Sequence, residues 1–524
     1  MTFTWLFSLQ GIVPVFVTGL GERWLPLGIV TLVTFGVSWV IYQIFLSPLA
    51  NIPGPFLGKI LPSIVQPAYR NGRMFRHSME NHRRYGPMVR LGCNTVSFID
   101  FPTIQQIYQS YEFIKAPIWY QGFEMFGEGF FTTARADFHR KRKRVILPAF
   151  TLRALRVMEK SIIQFGPVNL ITGDPPGDAT EGAVVNIYHT LTLLSADVIT
   201  ELTLGKSVQL LSRGSHPITE WFHATTRLVV IFNVFPFLKG ARWGFRELRG
   251  LLQDFEDYVS SCIQERRQRL QQEPPAEKES SRGPSGRLVP DILGNLILSV
   301  DPDTGEKLTD QELKCETISL LFGGSDTVAS TMSTVLLQLF RNPHVFTRLQ
   351  EEIITTFPKT VKAMGIDYET IRHQIPLMEA VISETLRIMP SSPGTFWRTV
   401  PAGGRVLFNH YLPAGTEVGG AAAAYHIGPE WSDPMVFNPD RFLGVAGEKS
   451  YPRVYTFSLG PRQCLGRALA FREISLILVT LFRFFEISIL DEEELNKQWL
   501  HFVTLRPHDK QLNIAVKPRP GFIV

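Results

Sequence analysis

The chain has 524 residues, 44% of them hydrophobic, and a formal net charge of +5. That length can bury a large core, and so small a charge gives no ground for a nucleic-acid partner while suiting an anionic membrane surface or an acidic protein. Its four cysteines, Cys93, Cys262, Cys315 and Cys464, contain no C-x-x-C pair, so neither a disulfide framework nor a structural zinc site is supported.

Residues 25–46 carry no charge over 22 positions, and a helix of about 20 apolar residues crosses a bilayer. Trp24, Trp39 and Tyr42 suit its interfacial ends. Residues 2–20 form a second uncharged stretch, weakened by Gln10, Gly11 and Pro14; it could span, lie in the interface or pack on its neighbour. The absence of Lys and Arg before Glu22 argues against a cleaved signal peptide. Lys59, Arg70, Arg73, Arg76, Arg83 and Arg84 follow the span, so the positive-inside rule places the rest of the chain on the cytosolic side. Residues 1–48 are thus expected to be a membrane anchor, and Ile52, Pro53, Gly54 and Pro55 a short, stiff hinge after it.

Residues 49–524 show no internal repeat and no dividing linker, which predicts one domain. Strand-like runs occur around 88–99, 404–418 and 502–516, and the middle third is helical in pattern, giving a mainly α fold with small β-sheets (α+β). Residues 271–287 are polar and rich in Pro, Ser and Gly, the composition of a flexible surface loop. Thr309 and Glu312 have capping-box spacing, predicting a helix to Asn342 with Pro343 ending it. At 1.5 Å per residue such a helix is about 48 Å long, enough to cross a domain. Asp301, Asp303 and Glu312 resemble a calcium loop, but Glu306 holds the place of the required glycine, which excludes that site.

The most informative run is F-x-x-G-x-R-x-C-x-G, at Phe457, Gly460, Arg462, Cys464 and Gly466. A thiolate is a soft anionic ligand for iron, tuned by backbone N–H groups that approach its sulfur. Gly460 and Gly466 permit that approach, Arg462 can pair with an acidic group of a cofactor, and Phe457 can shield the sulfur. The apolar run 465–485 predicts a helix whose N-terminal dipole favours an anion at its mouth.

This run resembles the heme-binding loop of the cytochrome P450 family, and further motifs follow the family's order. Gly323, Gly324, Asp326 and Thr327, midway along the long helix, resemble its oxygen-activation motif, with Gly323 where Ala is more frequent. An acid and a hydroxyl there can relay protons. Glu384 and Arg387 match E-x-x-R, while Phe437, Pro439, Arg441 and Phe442 match F-x-P-x-R-F. The resemblance implies that Glu384, Arg387 and Arg441 form a buried charge triad supporting the thiolate loop. His139 and Lys143 occupy the W/H-x-x-x-R helix before Pro148, Ala149 and Phe150, which implies that His139 and either Lys143 or Arg144 approach a heme propionate. Arg398 falls where the family places another propionate-binding Arg on a strand.

From about Pro53 onward the resemblance implies a cytochrome P450-like fold holding heme b (iron protoporphyrin IX) with Cys464 as axial ligand, and Asp326 and Thr327 as catalytic groups. It implies a monooxygenase of the endoplasmic reticulum membrane, similar to fungal members of secondary metabolism. No glycine-rich strand–turn–helix fingerprint is present. Electrons would therefore come from an NADPH-dependent P450 reductase, with cytochrome b5 as a further candidate donor. Residues 140–144, with Arg467 and Arg472, are read as its basic docking face. Trp119, Tyr120, Phe123, Phe126 and Phe130, with residues 320–327 and 391–396, predict an apolar pocket for a lipophilic small molecule. Two rival readings are a heme-thiolate isomerase or dehydratase, disfavoured by the intact Asp326 and Thr327, and a non-catalytic membrane-tethered binding protein, disfavoured by the intact Cys464, Glu384 and Arg387.

Overall fold

The computed structural model describes residues 21–63, 71–168, 183–240, 244–272, 290–444 and 454–521, with side chains from residue 27 onward. The expectations for residues 2–20, for Arg70 and for the side chain of Trp24 lie outside the described residues.

The uncharged N-terminal stretch forms α1 (Gly21–Ile41) and runs on into a widened turn, Tyr42–Leu46. Its apolar side chains face outward, Leu32 being 73% and Phe35 71% exposed, an arrangement that water does not stabilise. Leu27–Leu46 is long and apolar enough to cross a membrane. The hinge that follows is held against the sheet. Fully buried Arg90 donates to the carbonyl oxygens of Gln43, Leu49 and Cys93 at 2.9, 3.2 and 2.7 Å. A Cβ on Gly54 would meet the Arg90 carbonyl oxygen at 2.2 Å, so only glycine fits there.

The strands in chain order are β1 (Met88–Gly92), β2 (Thr95–Phe98), β3 (Ile114–Lys115), β4 (Ala183–Asn186), β5 (Arg398–Thr399) and β6 (Arg405–Leu407). They continue as β7 (His410–Leu412), β8 (Glu417–Gly420), β9 (Phe485–Ile489), β10 (Trp499–His501), β11 (Leu505–Pro507) and β12 (Asn513–Pro518). A five-stranded sheet of order β1-β2-β8-β5-β3 flanks the helices, with a three-stranded sheet β4-β12-β9 and hairpins β6–β7 and β10–β11. The three strand-like regions of the sequence are thus strands.

The longer helices after α1 are α2 (Met74–Tyr85), α3 (Ala136–Ile146), α4 (Leu152–Ile163), α5 (Ile187–Leu204), α6 (Ile218–Val234) and α7 (Arg246–Gln272). Then come α8 (Asp310–Arg341), α9 (Pro343–Thr356), α10 (Pro376–Ile388) and α11 (Arg467–Phe484). The capping box opens α8 as its spacing predicts: Thr309 Oγ1 accepts the Glu312 N–H at 3.3 Å and the Glu312 carboxylate accepts the Thr309 N–H at 2.9 Å. Pro343 both ends that pattern and opens α9 at its first helical position. From Val328 to Leu339 every side chain of α8 is buried, so the helix threads the interior, with α5, α9 and α11 contributing to the same apolar core. Gln271 and Gln272, assigned from composition to a loop, are the last turn of α7; residues 273–287 of that expected loop lie outside the described residues.

Candidate functional site

The Cys464 loop is folded by Gly460 and its own backbone. Gly460 adopts φ +68°, and a Cβ there would meet the Tyr108 carbonyl oxygen at 2.2 Å. The Cys464 N–H donates to the Phe457 carbonyl oxygen at 2.8 Å, closing the loop. The helix begins three residues after the cysteine, at Arg467, rather than at 465. A Cβ on Gly466 would stand 4.0 Å from Cys464 Sγ. Burial pushes the thiol pKa up, while the N–H groups of Gly466 and Arg467 and the charge of Arg467 pull it back. As a whole residue Cys464 is nevertheless exposed. Phe457 lies against Phe471, ring centroids 5.8 Å apart, with the Arg467 guanidinium over its ring.

On α8 the two glycines do different things. A Cβ on Gly324 would meet Ile199 of α5 at 2.5 Å, so this glycine lets two helices close up, whereas a Cβ on Gly323 would meet nothing within 4 Å. Gly323 is itself exposed, so this stretch of the helix borders open space rather than a packed neighbour. One turn on, Thr327 donates its hydroxyl to the Gly323 carbonyl oxygen at 2.8 Å. Burial raises the Asp326 pKa, against the pull of Arg506 and Lys510.

Five basic side chains converge beside the loop. Lys115 and Arg398 are paired residues of β3 and β5. Arg398 donates to Tyr120 Oη at 3.1 Å and to the carbonyl oxygens of Phe396 and Trp397 at 3.3 and 3.1 Å. Arg462 donates to the carbonyl oxygens of Thr133, Ala134 and Arg135, and its Nε has no partner. His139 stacks on Phe130 at 4.4 Å and meets Tyr111 Oη at 2.8 Å. Burial and then the charges of Arg462, Lys115, Lys143 and Arg398 push its pKa down to about 3, so it is neutral. Lys143 donates to the Pro461 carbonyl oxygen at 2.9 Å, whereas Arg144 turns outward to Asp303 at 2.6 Å; of the two candidates, Lys143 reaches the loop. Burial, with Arg398 and Arg462 nearby, pulls the Lys115 pKa well down. Among the described residues no carboxylate pairs with Lys115, Lys143, Arg398 or Arg462. Sequence reasoning missed Lys115, because a lysine in a two-residue strand carries no motif.

Behind the loop, Arg387 is fully buried and binds both carboxylate oxygens of Glu384, at 2.7 and 2.8 Å. Arg441 Nε reaches Glu384 at 3.3 Å, and Arg387 also donates to the carbonyl oxygens of His426, Pro434 and Val436. The three expected charges do form one buried cluster.

Other expectations need correction. Arg472 is 1% exposed and bound to Glu159, so it cannot join a docking face. Within 140–144, Arg142 turns inward to Glu312 and Glu316. Arg140, Lys141, Lys143 and Arg144 instead line a recess of about 570 Å³ with Tyr111, Asp137 and Leu147. Trp119 stacks on Trp397, ring centroids 5.5 Å apart, while Phe126 is core against Phe255 rather than pocket lining. Phe123 instead meets Phe131 and Phe322 edge-on at 5.3 and 6.2 Å, and Phe131 is 44% exposed, bordering open space.

The sequence model of the family described as Cytochrome P450 matches residues 50–513. The chain is 30% identical over 490 residues to the cytochrome P450 monooxygenase traB of Penicillium crustosum, covering 88% of this chain and 90% of that one. It is 28% identical to the cytochrome P450 monooxygenase aclL of Aspergillus oryzae, over 90% and 94% of the two chains. It is also 28% identical to the cytochrome P450 monooxygenase lcsI of Purpureocillium lilacinum, over 91% of each.

Proposed function

The chain belongs to the cytochrome P450 family, oxidoreductases that use dioxygen and a heme-iron cofactor, and on that premise we propose a membrane-bound heme-thiolate monooxygenase that oxidises, typically by hydroxylation, a lipophilic small molecule of fungal secondary metabolism. The observation that carries this reading is the Cys464 loop: an exposed cysteine at a helix mouth, in a loop whose turn at Gly460 has room for nothing larger than glycine.

The surrounding residues suit an iron porphyrin. A cluster of Lys115, Lys143, Arg398 and Arg462 without a paired carboxylate favours an acidic group, and Arg462 keeps Nε free to meet one. Lys143, Arg398 and Arg462 as cations, with Lys115 and neutral His139 as hydrogen-bonding groups beside them, would hold the two propionates, and Cys464 the iron. Bound heme supplies activation of dioxygen and transfer of one oxygen atom to carbon. The chain's own groups do the rest. Asp326, its pKa raised by burial, holds a proton nearer to neutral pH than an exposed carboxylate does, with Arg506 and Lys510 close to it. Thr327 Oγ1 keeps its lone pairs free while its hydrogen is on the Gly323 carbonyl; Asp326 is the proton store and Thr327 the hydroxyl placed to accept a hydrogen bond beside the open space at Gly323. The Glu384–Arg387–Arg441 cluster holds the segment before the loop, and Phe123, Phe131 and Phe322 exclude water from the substrate's side. The recess at Arg140 and Arg144, with exposed Arg467, is the docking face for the acidic surface of a separate NADPH-dependent reductase. The exposed apolar α1 supports an endoplasmic reticulum anchor with the domain in the cytosol.

The test is the absorption spectrum of the reduced, carbon-monoxide-bound protein beside Cys464→Ser. The red-shifted Soret band of thiolate-bound heme should appear in the wild type and vanish in the variant. A well-folded wild type without a heme spectrum would sink the oxygenase reading.

A further inference from the structure

The first half of α8 grips the segment that supplies the aromatic wall. Gln311 Nε2 donates to the Phe126 carbonyl oxygen at 3.0 Å and Cys315 Sγ to that of Gly127 at 3.6 Å. A Cβ on Gly129 would stand 2.8 Å from Cys315 Sγ, so loop and helix touch directly. At the centre is Glu316, 2% exposed, whose carboxylate accepts the Phe130 N–H at 2.9 Å and pairs with Arg142 of α3 at 3.3 Å. Phe130 stacks on His139, and the next residue, Phe131, borders the open space. One carboxylate therefore ties together α8, α3 and the loop.

We propose that Glu316 is a positioning residue: it clamps the 126–131 loop to α8, and the grip of the clamp follows the charge on its carboxyl. Only the description of this loop as the substrate's wall rests on the oxygenase reading. Burial moves the Glu316 pKa up to about 7, into the range where its charge changes near neutral pH, while the Phe130 N–H and Arg142 favour the charged form. The Phe130 bond is, by linkage, stronger when Glu316 is ionised. Other charges facing the carboxyl are few. Glu312 on the same helix shares Arg142 and opposes ionisation. Glu128 of the loop is bound by Thr133 and Arg135, and Glu256 of α7 is paired with Lys314 at 2.6 Å. Cys315 alongside stays a thiol, its pKa pushed up to about 12.

The experiment is hydrogen–deuterium exchange at the Phe130 amide in the full-length heme-loaded protein, corrected for the intrinsic rate. Protection should be about threefold or more higher at about pH 8 than at about pH 6 in the wild type. Glu316→Gln keeps an acceptor oxygen for Phe130 but no charge, so its protection should lose the pH slope. Arg142→Gln should move the midpoint upward. A wild type with no slope, or a Glu316→Gln variant that keeps it, would overturn the proposal. The carbon monoxide spectrum of the same samples reads the oxygenase assignment separately.

Discussion

At the scale of the residue, the decisive fact is which charges went inside. Glu384 and Arg387, three apart on a helix, have the spacing of any exposed surface pair, worth little in water. Here both are 0% exposed. Arg387→Leu should strand the Glu384 carboxylate and cost about 3–5 kcal/mol, read by chemical denaturation, and the variant should retain less heme. Unchanged stability would show the triad to be dispensable. Glu473 is a second interior acid, with Oε1 lacking any partner and burial alone raising its pKa to about 8. The folded chain binds this proton more tightly than the unfolded chain does. Its contribution is therefore present below the ordinary carboxylate pKa and is lost as pH rises toward about 8. Thermal unfolding across that window should show stability falling in the wild type and a flatter profile in Glu473→Gln. The burial of Glu384 and Arg387 was expected only from the family resemblance and that of Glu473 not at all, because spacing names a helix face without saying what that face meets.

At the scale of the element, the long helix was the most readable part of the chain. Capping box, length and terminal proline are local signals, and α8 obeys all three. Thr309→Ala should lower stability by about 1 kcal/mol through loss of the cap. The glycine pair inside that helix was only half legible: either loosening or close packing explains two glycines. Packing separates them. Gly324→Ala should clash with Ile199 and cost about 1–3 kcal/mol. Gly323→Ala meets open space and gains helix propensity, up to about 1 kcal/mol. Paired thermal melts check this; equal effects would mean that the helices part without cost.

At the scale of the whole molecule, the exposed apolar helix is pinned to the rest of the fold. Arg90 binds Gln43 from the end of the span as well as Leu49 and Cys93. Full-length protein should resist extraction from membranes by alkaline carbonate. Removing residues 1–46 should abolish that resistance and destabilise the domain by about 1–3 kcal/mol, since a buried guanidinium loses acceptors. A truncated domain as stable as the parent would show that the clasp carries no energy. The sequence by itself determined the helix-rich class, the apolar span, the thiolate loop with its glycines, and the order of the supporting motifs. All of these are local: fixed spacings, caps, and runs without charge. Only the tertiary structure decided that Lys115 joins Arg398 across β3 and β5, that Lys143 rather than Arg144 reaches the loop, and that Arg142 and Arg472 turn inward. Those outcomes depend on segments far apart in the chain meeting in space, and burial, which turns a solvated charge into a structural one, exists only after they meet.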